Sequence, residues 1–216
     1  MTIDAILFDM DGVVVDSMPS HADAWKRVLG EFGLELDDID IFRREGMSGR
    51  QSVEDIFIEK ERPVPGESEF HDLIAKKHAI FEECEIRLFP HIVEILAWIR
   101  GRGIRAALVT GSQKRSVNHL LPAEVLSRFD VVIAAEDVTR GKPDPEPYLR
   151  ALDALGVRPE RALIIENAPM GIRAARAAGI ACVALETTLP RRYLSGADRI
   201  FGGHRELLEY LKSAAR

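Results

Sequence analysis

Residues 5–16, with the sequence AILFDMDGVVVD, decide the fold of this 216-residue chain. The apolar run at residues 5–8 has the length of a buried strand, and it ends at two acids, Asp9 and Asp11, followed by Gly12. In an open α/β sheet, ligands bind outside the carboxyl ends of the strands. Two carboxylates one residue apart at such an end are costly to bury without partners, so they indicate a cation or a reaction. Taken alone, the same short motif also fits a solvated turn.

The composition is that of a globular protein and limits the classes of partner. Apolar residues make up 46% and charged residues 30% of the chain, which is typical of folded domains. The net charge of −6 and the lack of a basic block argue against nucleic-acid binding. No apolar run approaches the roughly 18 residues of a membrane span, and Cys84 and Cys182 are too few for a disulfide framework. We therefore expect a cytoplasmic protein that binds neither nucleic acid nor membrane and has no signal peptide.

Helical patterns fill the chain after the first strand. A helix start is predicted at Ser17, and apolar residues recur at helical spacing over residues 22–32. Further helices are predicted from Ser52 and over residues 67–83, and this stretch contains no strand pattern. We therefore predict an all-helical cap that is inserted after the first strand. The predicted boundaries are residues 1–14 and 86–216 for a discontinuous core and residues 15–85 for the cap.

From Pro90 onward, strand and helix patterns alternate regularly. Each short apolar run is followed by a segment with helical spacing. Such alternation predicts an α/β fold with a Rossmann-like parallel sheet and helices on both faces. The later strands are predicted at residues 105–109, 131–134, 162–165 and 181–185, with a weak one near 199–200. Helices are predicted at 92–102, before 131, at 148–155, up to 178 and at 206–212.

Polar residues follow the ends of the predicted core strands. Thr110 follows the second strand, and Lys142 lies in a proline-flanked turn after the third. Glu166 and Asn167 follow the fourth. Singly, Thr110 and Asn167 could be helix caps and Lys142 an exposed lysine. These explanations do not account for acids, a hydroxyl and a lysine at one edge of the sheet, so we predict a shared site.

Four short motifs are thus present in order: Asp9-Met-Asp11-Gly12, Val109-Thr110-Gly111-Ser112, Gly141-Lys142-Pro143-Asp144 and Glu166-Asn167-Ala168-Pro169-Met170-Gly171. In these motifs, and over essentially its whole length, the chain resembles the haloacid dehalogenase-like superfamily of phosphotransferases. The helical insertion is similar to the small cap of the β-phosphoglucomutase-like branch. Because the dehalogenases themselves lack the second acid of the first motif, Asp11 favours phosphate chemistry.

The resemblance implies a phosphatase that uses Mg²⁺ and forms an aspartyl-phosphate. It assigns the nucleophile to Asp9 and general acid–base catalysis to Asp11. Crowding by other acids is expected to raise the pKa of Asp11, as a proton donor near neutral pH requires. The resemblance further implies that the phosphoryl oxygens are bound by Thr110, Gly111 and Lys142. It implies that Mg²⁺ is bound by Asp9, the backbone carbonyl of Asp11, either Glu166 or Asn167, and a phosphate oxygen.

Asn167 departs from the commonest family pattern, in which a second acid stands at this position. An amide oxygen can still ligate Mg²⁺ but brings no charge, and one charge at 4 Å is worth on the order of 4 kcal/mol at an effective dielectric of 20. The site then binds Mg²⁺ less tightly, accepts a more negative substrate, or recruits another acid. Glu45 of the insertion is a candidate for that acid, with a solvated loop glutamate as an equal alternative.

Other residues of the insertion bear on the substrate. His21 and Trp25 are four residues apart and share one helix face, and they are similar in position to residues of β-phosphoglucomutases. Core packing is the simpler explanation for Trp25. Arg50, Lys76 and Lys77 are candidate contacts to a substrate phosphate, with solvated charge as the alternative.

The leading interpretation is a Mg²⁺-dependent phosphatase of a small soluble phosphate compound, active as a monomer or weak dimer. Within the family, the alternatives are a β-phosphoglucomutase and an inorganic pyrophosphatase. Some relatives that carry Glu-Asn in the fourth motif look specialised for pyrophosphate. If Asp11 is protonated, Asn167 leaves a positive site that favours strongly anionic substrates. Outside the family, a phospho-accepting receiver domain shares the Asp, Thr and Lys pattern but has no helical insertion and does not need the second acid.

Overall fold

The computed structural model describes residues 3–214, which contain six strands and ten α-helices. The strands are β1 (Ala5–Phe8), β2 (Arg105–Val109), β3 (Val131–Ile133), β4 (Ala162–Glu166), β5 (Ala181–Leu185) and β6 (Arg199–Phe201). The helices are α1 (Met18–Gly30), α2 (Asp38–Phe42), α3 (Gly49–Glu59), α4 (Glu67–Glu82), α5 (Ile92–Gly101), α6 (Lys114–Leu120), α7 (Ala123–Leu126), α8 (Glu146–Leu155), α9 (Pro169–Ala177) and α10 (His204–Ala214). The strands form one parallel sheet in the order β3-β2-β1-β4-β5-β6, with helices on both faces. The predicted fold class is confirmed.

Strand β1 lies at the centre of the sheet, and all of its side chains are apolar and fully buried. Ile6 and Phe8 pack with α5, α6 and α10 on one face, whereas Ala5 and Leu7 pack with α8 and α9 on the other. Alternate side chains of a strand point to opposite faces, so a run without polar positions fits a strand that is covered twice. Because β1 pairs in parallel with β2 and β4, the residues that follow these three strands meet at one edge.

Helices α1 to α4 build an apolar cluster of their own, separate from the two clusters that cover the sheet. Trp25 of α1, Phe57 of α3 and Leu73 of α4 are buried members of this cluster. The chain leaves the sheet layer after Val15 and returns at Leu88, and these two residues pair in antiparallel orientation. Both ends of the helical insertion therefore lie side by side.

Several helices begin or end at residues other than those predicted. Helix α3 starts at Gly49 rather than Ser52 because Ser48 caps it, with the Ser48 hydroxyl accepting from the Gln51 N–H. The single helix predicted before β3 is two helices, α6 and α7, since Pro122 has no N–H with which to continue α6. Helices α8 and α10 each start two residues earlier than predicted.

Within residues 3–214, no helix is both long enough and apolar enough to cross a membrane. The longest of these helices, α4, has 16 residues.

Candidate active site

A buried ion-pair cluster lies at the carboxyl edge of the sheet. Lys142 Nζ lies 2.5 Å from Oδ1 of Asp9, which follows β1, and 2.7 Å from Oε1 of Glu166, which ends β4. All three side chains are at most 2% exposed. Burial by itself lowers the pKa of Lys142, but the charges and hydrogen bonds of Asp9 and Glu166 outweigh it and raise that pKa. Lys142 is therefore a buried cation and not an exposed surface lysine.

Glu166 is held in place from several sides. Its Oε1 accepts a hydrogen bond from the Tyr148 hydroxyl at 2.6 Å, and its Oε2 accepts from the backbone N–H groups of Asn167 and Ala168. A Cβ at Gly171 would lie 1.6 Å from Oε1, so only glycine leaves room for this carboxylate. Tyr148 is absent from the predicted set, because an aromatic residue at helical spacing gives no sign of a polar role.

Two side-chain oxygens beside this cluster are buried without a hydrogen-bond partner in the part of the chain that the structure describes. They are Asp9 Oδ2 and Asn167 Oδ1. Burial raises the pKa of Asp9 to about 8, against the opposing charge of Lys142. Asn167 Nδ2 donates to Thr188 Oγ1 at 2.6 Å, whereas Ala168 occupies the N-cap position of α9. Asn167 is therefore not the cap of that helix.

The two unpartnered oxygens fit a hard divalent cation. Asp9 and Asn167 follow adjacent strands, and carboxylate and amide oxygens are donors that Mg²⁺ accepts. Both oxygens of Glu166 already accept hydrogen bonds, which favours Asn167 over Glu166 as the ligand. Among residues 3–214, no three His, Cys, Asp or Glu side chains group into a metal cage. A cation here would complete its shell with the Asp11 carbonyl, a phosphate oxygen and water, as Mg²⁺ commonly does.

The carboxylate of Asp11 is surrounded by hydroxyl groups and one imidazole. It accepts hydrogen bonds from Ser17 Oγ at 2.5 Å and Ser112 Oγ at 2.8 Å, and His21 Nε2 lies 3.2 Å away. Burial by itself raises the pKa of Asp11, but His21 and the two hydroxyls outweigh it and lower the pKa to about 2. The expected rise in the pKa of Asp11 is therefore wrong for this arrangement, because the hydrogen-bond donors around the carboxylate outweigh the effects that raise the pKa. Ser17 precedes α1 as predicted, but its hydroxyl donates to Asp11 and makes no hydrogen bond that caps the helix. The role of Ser112 as a second donor to Asp11 was not predicted.

Thr110 and Gly111 follow β2 and lie beside Asp11. Thr110 is buried, and its Oγ1 lies 3.4 Å from Asp11 Oδ2. Gly111 contacts the helical insertion, since a Cβ there would lie 2.9 Å from the Gly46 carbonyl oxygen. Gly46 in turn packs on Lys142, whose Cδ would lie 2.9 Å from a Cβ at Gly46. The loop around Gly46 therefore closes over the carboxyl edge of the sheet.

His21 and Lys77 form a polar contact on the inner side of the insertion. Lys77 Nζ donates to His21 Nδ1 at 2.9 Å, and the His21 ring stacks on Phe81 with centroids 4.0 Å apart. Lys77 is buried, and burial lowers its pKa to about 8. The structure thus brings both predicted residues to the site, His21 directly and Lys77 through His21, because His21 also contacts Asp11.

Glu45 faces the two acids of the first motif from the insertion. Burial raises its pKa well above the ordinary value, the charges of Asp11 and Asp9 add to the rise, and Lys142 opposes it. The side chain is only partly exposed, and it lines the space between the insertion and the sheet edge. Glu45 is therefore part of the site, and a fully solvated loop glutamate is excluded.

The structure does not bring the predicted Lys76 to the site. Lys76 is 54% exposed and pairs with Glu31 at the surface, because adjacent positions of a helix point about 100° apart and Lys77 takes the inward one. Arg50 borders the site, but its guanidinium group pairs with Glu67 at 2.7 Å and stacks over Phe70. The cation of Arg50 is thus already neutralised by an acid.

A cavity of about 300 Å³ lies between the insertion and the sheet edge. A mostly apolar pocket with a few polar groups is typical of sites for small organic molecules. The insertion contributes the apolar residues Trp25, Ile56, Phe70 and Ile74 and the polar residues Glu45, Ser48 and Lys77, and the sheet edge contributes Ser112, Gln113 and Ser116.

Known proteins are similar to this chain over most of its length. Residues 3–179 match the family model of the haloacid dehalogenase-like hydrolases. Validoxylamine A 7'-phosphate phosphatase of Streptomyces hygroscopicus subsp. limoneus is 31% identical over 206 residues, which cover 89% of this chain and 90% of that protein. Phosphorylated carbohydrates phosphatase of Thermotoga maritima is 31% identical over 180 residues, which cover 82% of both. The crystal structure of CbbY from Rhodobacter sphaeroides in complex with phosphate is 30% identical, with a TM-score of 0.77 over 95% of this chain and 96% of that one.

The match to the family model spans well over half of the chain, and the identities of about 30% extend over most of both sequences. The parallel sheet places the four sequence motifs at one edge, as the resemblance implies. The chain therefore belongs to the haloacid dehalogenase-like hydrolases, in their β-phosphoglucomutase-like branch, and is a phosphatase.

Proposed function

We propose that this phosphatase depends on Mg²⁺ and hydrolyses a small phosphorylated compound through an aspartyl-phosphate on Asp9. The observation that carries the proposal is the difference between the two oxygens of Asp9. Lys142 holds Oδ1 at 2.5 Å, whereas Oδ2 is buried without a partner in the described part of the chain. Oδ2 is thus available to the cation, which would leave Oδ1 to attack phosphorus as Lys142 turns toward the phosphoryl oxygens.

The residues around Asp9 supply the charge and orientation that phosphoryl transfer needs. The carboxylate form of Asp9 would attack phosphorus. Because burial raises the pKa of Asp9 to about 8, this form depends on the positive charge of Lys142, which opposes the rise, and on that of a bound cation. Thr110, Gly111 and Lys142 would hold the phosphoryl oxygens. Mg²⁺, when held by Asp9, Asn167 and the Asp11 carbonyl, supplies further positive charge at the transferring phosphate.

Asp11 would act as the general acid and base. With its pKa lowered to about 2, the carboxylate is ionised near neutral pH and ready to accept a proton from the water that hydrolyses the aspartyl-phosphate. To protonate the leaving oxygen in the first step, Asp11 would use the proton that it took from the hydrolytic water in the preceding turnover. The hydroxyls of Ser17 and Ser112 would then have to give up or reverse their hydrogen bonds to it.

Substitution of the two acids tests the proposal. Asp9→Asn should abolish turnover of phosphate monoesters while preserving the fold, because asparagine keeps the shape but is a poor nucleophile. Asp11→Asn should slow turnover by roughly 10²-fold to 10⁴-fold, the usual contribution of general acid–base catalysis. Phosphate release measures both effects, and acid-quenched labelling should locate the phosphoryl group on Asp9.

Asp153→Asn is the matched control, because it makes the same chemical change at an exposed position of α8. It should leave turnover unchanged. Native turnover in the Asp9→Asn protein would overturn the assignment of the nucleophile.

The cavity and the relatives support an organic monophosphate as the substrate. Two relatives are named as phosphatases of phosphorylated carbohydrates or of a validoxylamine phosphate. The apolar wall around Trp25 provides a surface for an organic body of modest size. We expect the insertion, residues 15–85, to act as a cap that excludes water, since the Gly46 carbonyl already rests against Gly111.

Inorganic pyrophosphate is a second candidate substrate, because the uncharged Asn167 leaves the site one negative charge short and so favours a more anionic substrate. Glu45 would not restore that charge while it is protonated, since burial and the charges of Asp11 and Asp9 raise its pKa well above the ordinary value. The ionised Asp11 weakens this candidate, because the expected positive charge of the site assumes a protonated Asp11. An organic monophosphate therefore remains the first candidate.

A further inference from the structure

Two adjacent threonines after β5 form hydrogen bonds with two separate parts of the site. Thr187 Oγ1 donates to the Gly12 carbonyl oxygen at 2.6 Å, and Thr188 Oγ1 accepts from Asn167 Nδ2 at 2.6 Å. Strand β5 pairs with β4, and Asn167 directly follows β4, so the loop after β5 lies within reach of that amide. Neither threonine belongs to the four motifs.

The amide of Asn167 has two chemically different ends, and only one of them suits a cation. Nδ2 is a donor and Oδ1 an acceptor. Nδ2 is bound to Thr188, whereas Oδ1 is buried and has no partner among residues 3–214. Gly12 packs against the nitrogen end, since a Cβ there would lie 2.0 Å from Nδ2 and 3.2 Å from Thr188 Oγ1. Because the two ends of an amide point apart, fixing Nδ2 also fixes the direction of Oδ1.

We propose that Thr188 is a positioning residue for the Mg²⁺ site: by accepting the hydrogen bond from Asn167 Nδ2, it turns Oδ1 rather than the NH₂ group toward the cation. The proposal rests on the Mg²⁺-dependent function proposed above. Thr188 acts only through Asn167 and contacts neither the metal nor the substrate.

The need for Thr188 follows from the amide at position 167. An aspartate would present an equivalent oxygen whichever way its side chain turned, so its orientation would not need to be fixed. An asparagine that turned over would direct two N–H donors at a positive ion. Residues that orient a metal ligand typically change metal affinity by roughly 10-fold to 100-fold when they are replaced. We expect an effect of that size here.

The test measures Mg²⁺ binding directly, by isothermal titration calorimetry of the full chain with MgCl₂ and no substrate. Thr188→Val removes the hydroxyl and keeps the shape, and it should weaken Mg²⁺ binding by roughly 10-fold to 100-fold. Thr188→Ser keeps the hydroxyl and should bind Mg²⁺ almost as tightly as the native protein. Unchanged binding in Thr188→Val would overturn the proposal.

The same substitution in an Asn167→Asp background separates positioning from a general structural role. Both ends of the aspartate are oxygens, so Thr188→Val should there have little effect on Mg²⁺ binding. A loss of equal size in both backgrounds would show that Thr188 only supports the loop, and the proposal would be wrong. If Thr188→Val does not fold, Thr188→Ala takes its place in both backgrounds, with thermal unfolding without Mg²⁺ as the check.

The test of Thr188 by Mg²⁺ binding is independent of the assay of phosphatase activity. If Mg²⁺ binding responds to Thr188 as expected but no phosphate monoester is hydrolysed, the role of Thr188 stands and the proposed function falls. If the native chain shows no saturable Mg²⁺ binding, the role of Thr188 falls whatever the assay of phosphate release shows.

Discussion

Lys77 is a buried amine whose hydrogen-bond partner is an imidazole, and its burial has a consequence for stability. Burial lowers the pKa of Lys77 to about 8 from its ordinary value of 10.5, so the folded chain holds this proton less tightly than the unfolded chain does. Between pH 8 and pH 10.5 the unfolded state therefore binds more protons at this group, and stability rises with pH. Below pH 8 the group is charged in both states, and its full destabilising effect is present.

Replacing Lys77 by methionine should remove this effect. At pH 7, Lys77→Met should raise the free energy of unfolding by about 1–3 kcal/mol, and the gain should shrink toward pH 10. Turnover should fall, because His21 loses its partner beside Asp11. Urea unfolding at pH 7 and pH 10 measures the first effect and phosphate release the second.

Lys76→Met is the matched control, since the neighbouring lysine is exposed and pairs with Glu31 at the surface. Its effect on the free energy of unfolding should stay within about 0.5 kcal/mol at both pH values. A gain for Lys77→Met that is equal at pH 7 and pH 10 would show that the charge of Lys77 is not its cause.

At the scale of residues, the sequence predicts the site residues that follow strands or lie in the proline-flanked turn. It does not predict the side chains that form hydrogen bonds with those residues. Asp9, Lys142 and Glu166 are recognisable because a buried strand or a proline-flanked turn places each of them. Tyr148 and Thr188 reach their partners across 18 and 21 residues of sequence, and no local pattern reports such a contact. The direction of the Asp11 pKa was not predictable either, because it depends on which donors the fold brings around the carboxylate.

At the scale of elements, the loop between α2 and α3 packs against the sheet edge at Gly111 and Lys142. A methyl group at Gly111 would lie 2.9 Å from the Gly46 carbonyl oxygen, a backbone atom that cannot rotate away. Gly111→Ala should hold this loop off the site and lower kcat/KM by roughly 10²-fold, since small misplacements cost that much. The free energy of unfolding should change by less than about 1 kcal/mol, because the loop can move into solvent.

Gly101→Ala is the control for this prediction. It adds the same methyl group at the end of α5, where nothing lies within 4 Å of the new atom. It should leave kcat/KM unchanged. Full activity in Gly111→Ala would mean that the contact between the loop and Gly111 is not needed for turnover.

Strands that are buried along their length were predictable from the sequence. The start of a helix was less predictable where it depends on a local cap. Strand β1 and the first four residues of β4 are continuous buried apolar runs, as expected for strands covered on both faces. The start of α3 depends on the capping box of Ser48 and Gln51, which a search for apolar periodicity passes over. Helix α2 has only five residues, too few to show a helical period.

At the scale of the whole molecule, charge distinguishes the two candidate substrates. Asn167→Asp adds a negative charge beside the proposed cation, so Mg²⁺ should bind more tightly. Pyrophosphate, the more anionic substrate, should then lose more kcat/KM than a sugar monophosphate. Measuring kcat/KM for both substrates in both proteins tests this difference between the substrates. The dependence on Mg²⁺ is tested separately, by loss of activity in a chelator and its return when Mg²⁺ is added.

If Asn167→Asp and the native protein reach half of their maximal activity at the same Mg²⁺ concentration, the side chain at position 167 lies too far from the metal to affect it by its charge. The native protein should also be assayed for conversion of β-glucose 1-phosphate to glucose 6-phosphate. Efficient isomerisation with little phosphate release would contradict water as the final acceptor.

The pairing of Val15 with Leu88 brings together the two points where the chain leaves and re-enters the sheet layer. A segment whose ends are held together needs no fixed length, and doubling it adds only about 0.6 kcal/mol of closure entropy. The buried ion-pair cluster belongs to strand ends, whereas the apolar wall of the cavity belongs to the segment between Val15 and Leu88. Evolution can therefore resize that segment to acquire new substrates without disturbing the ion-pair cluster, as long as Ser17 and His21 keep their contacts to Asp11.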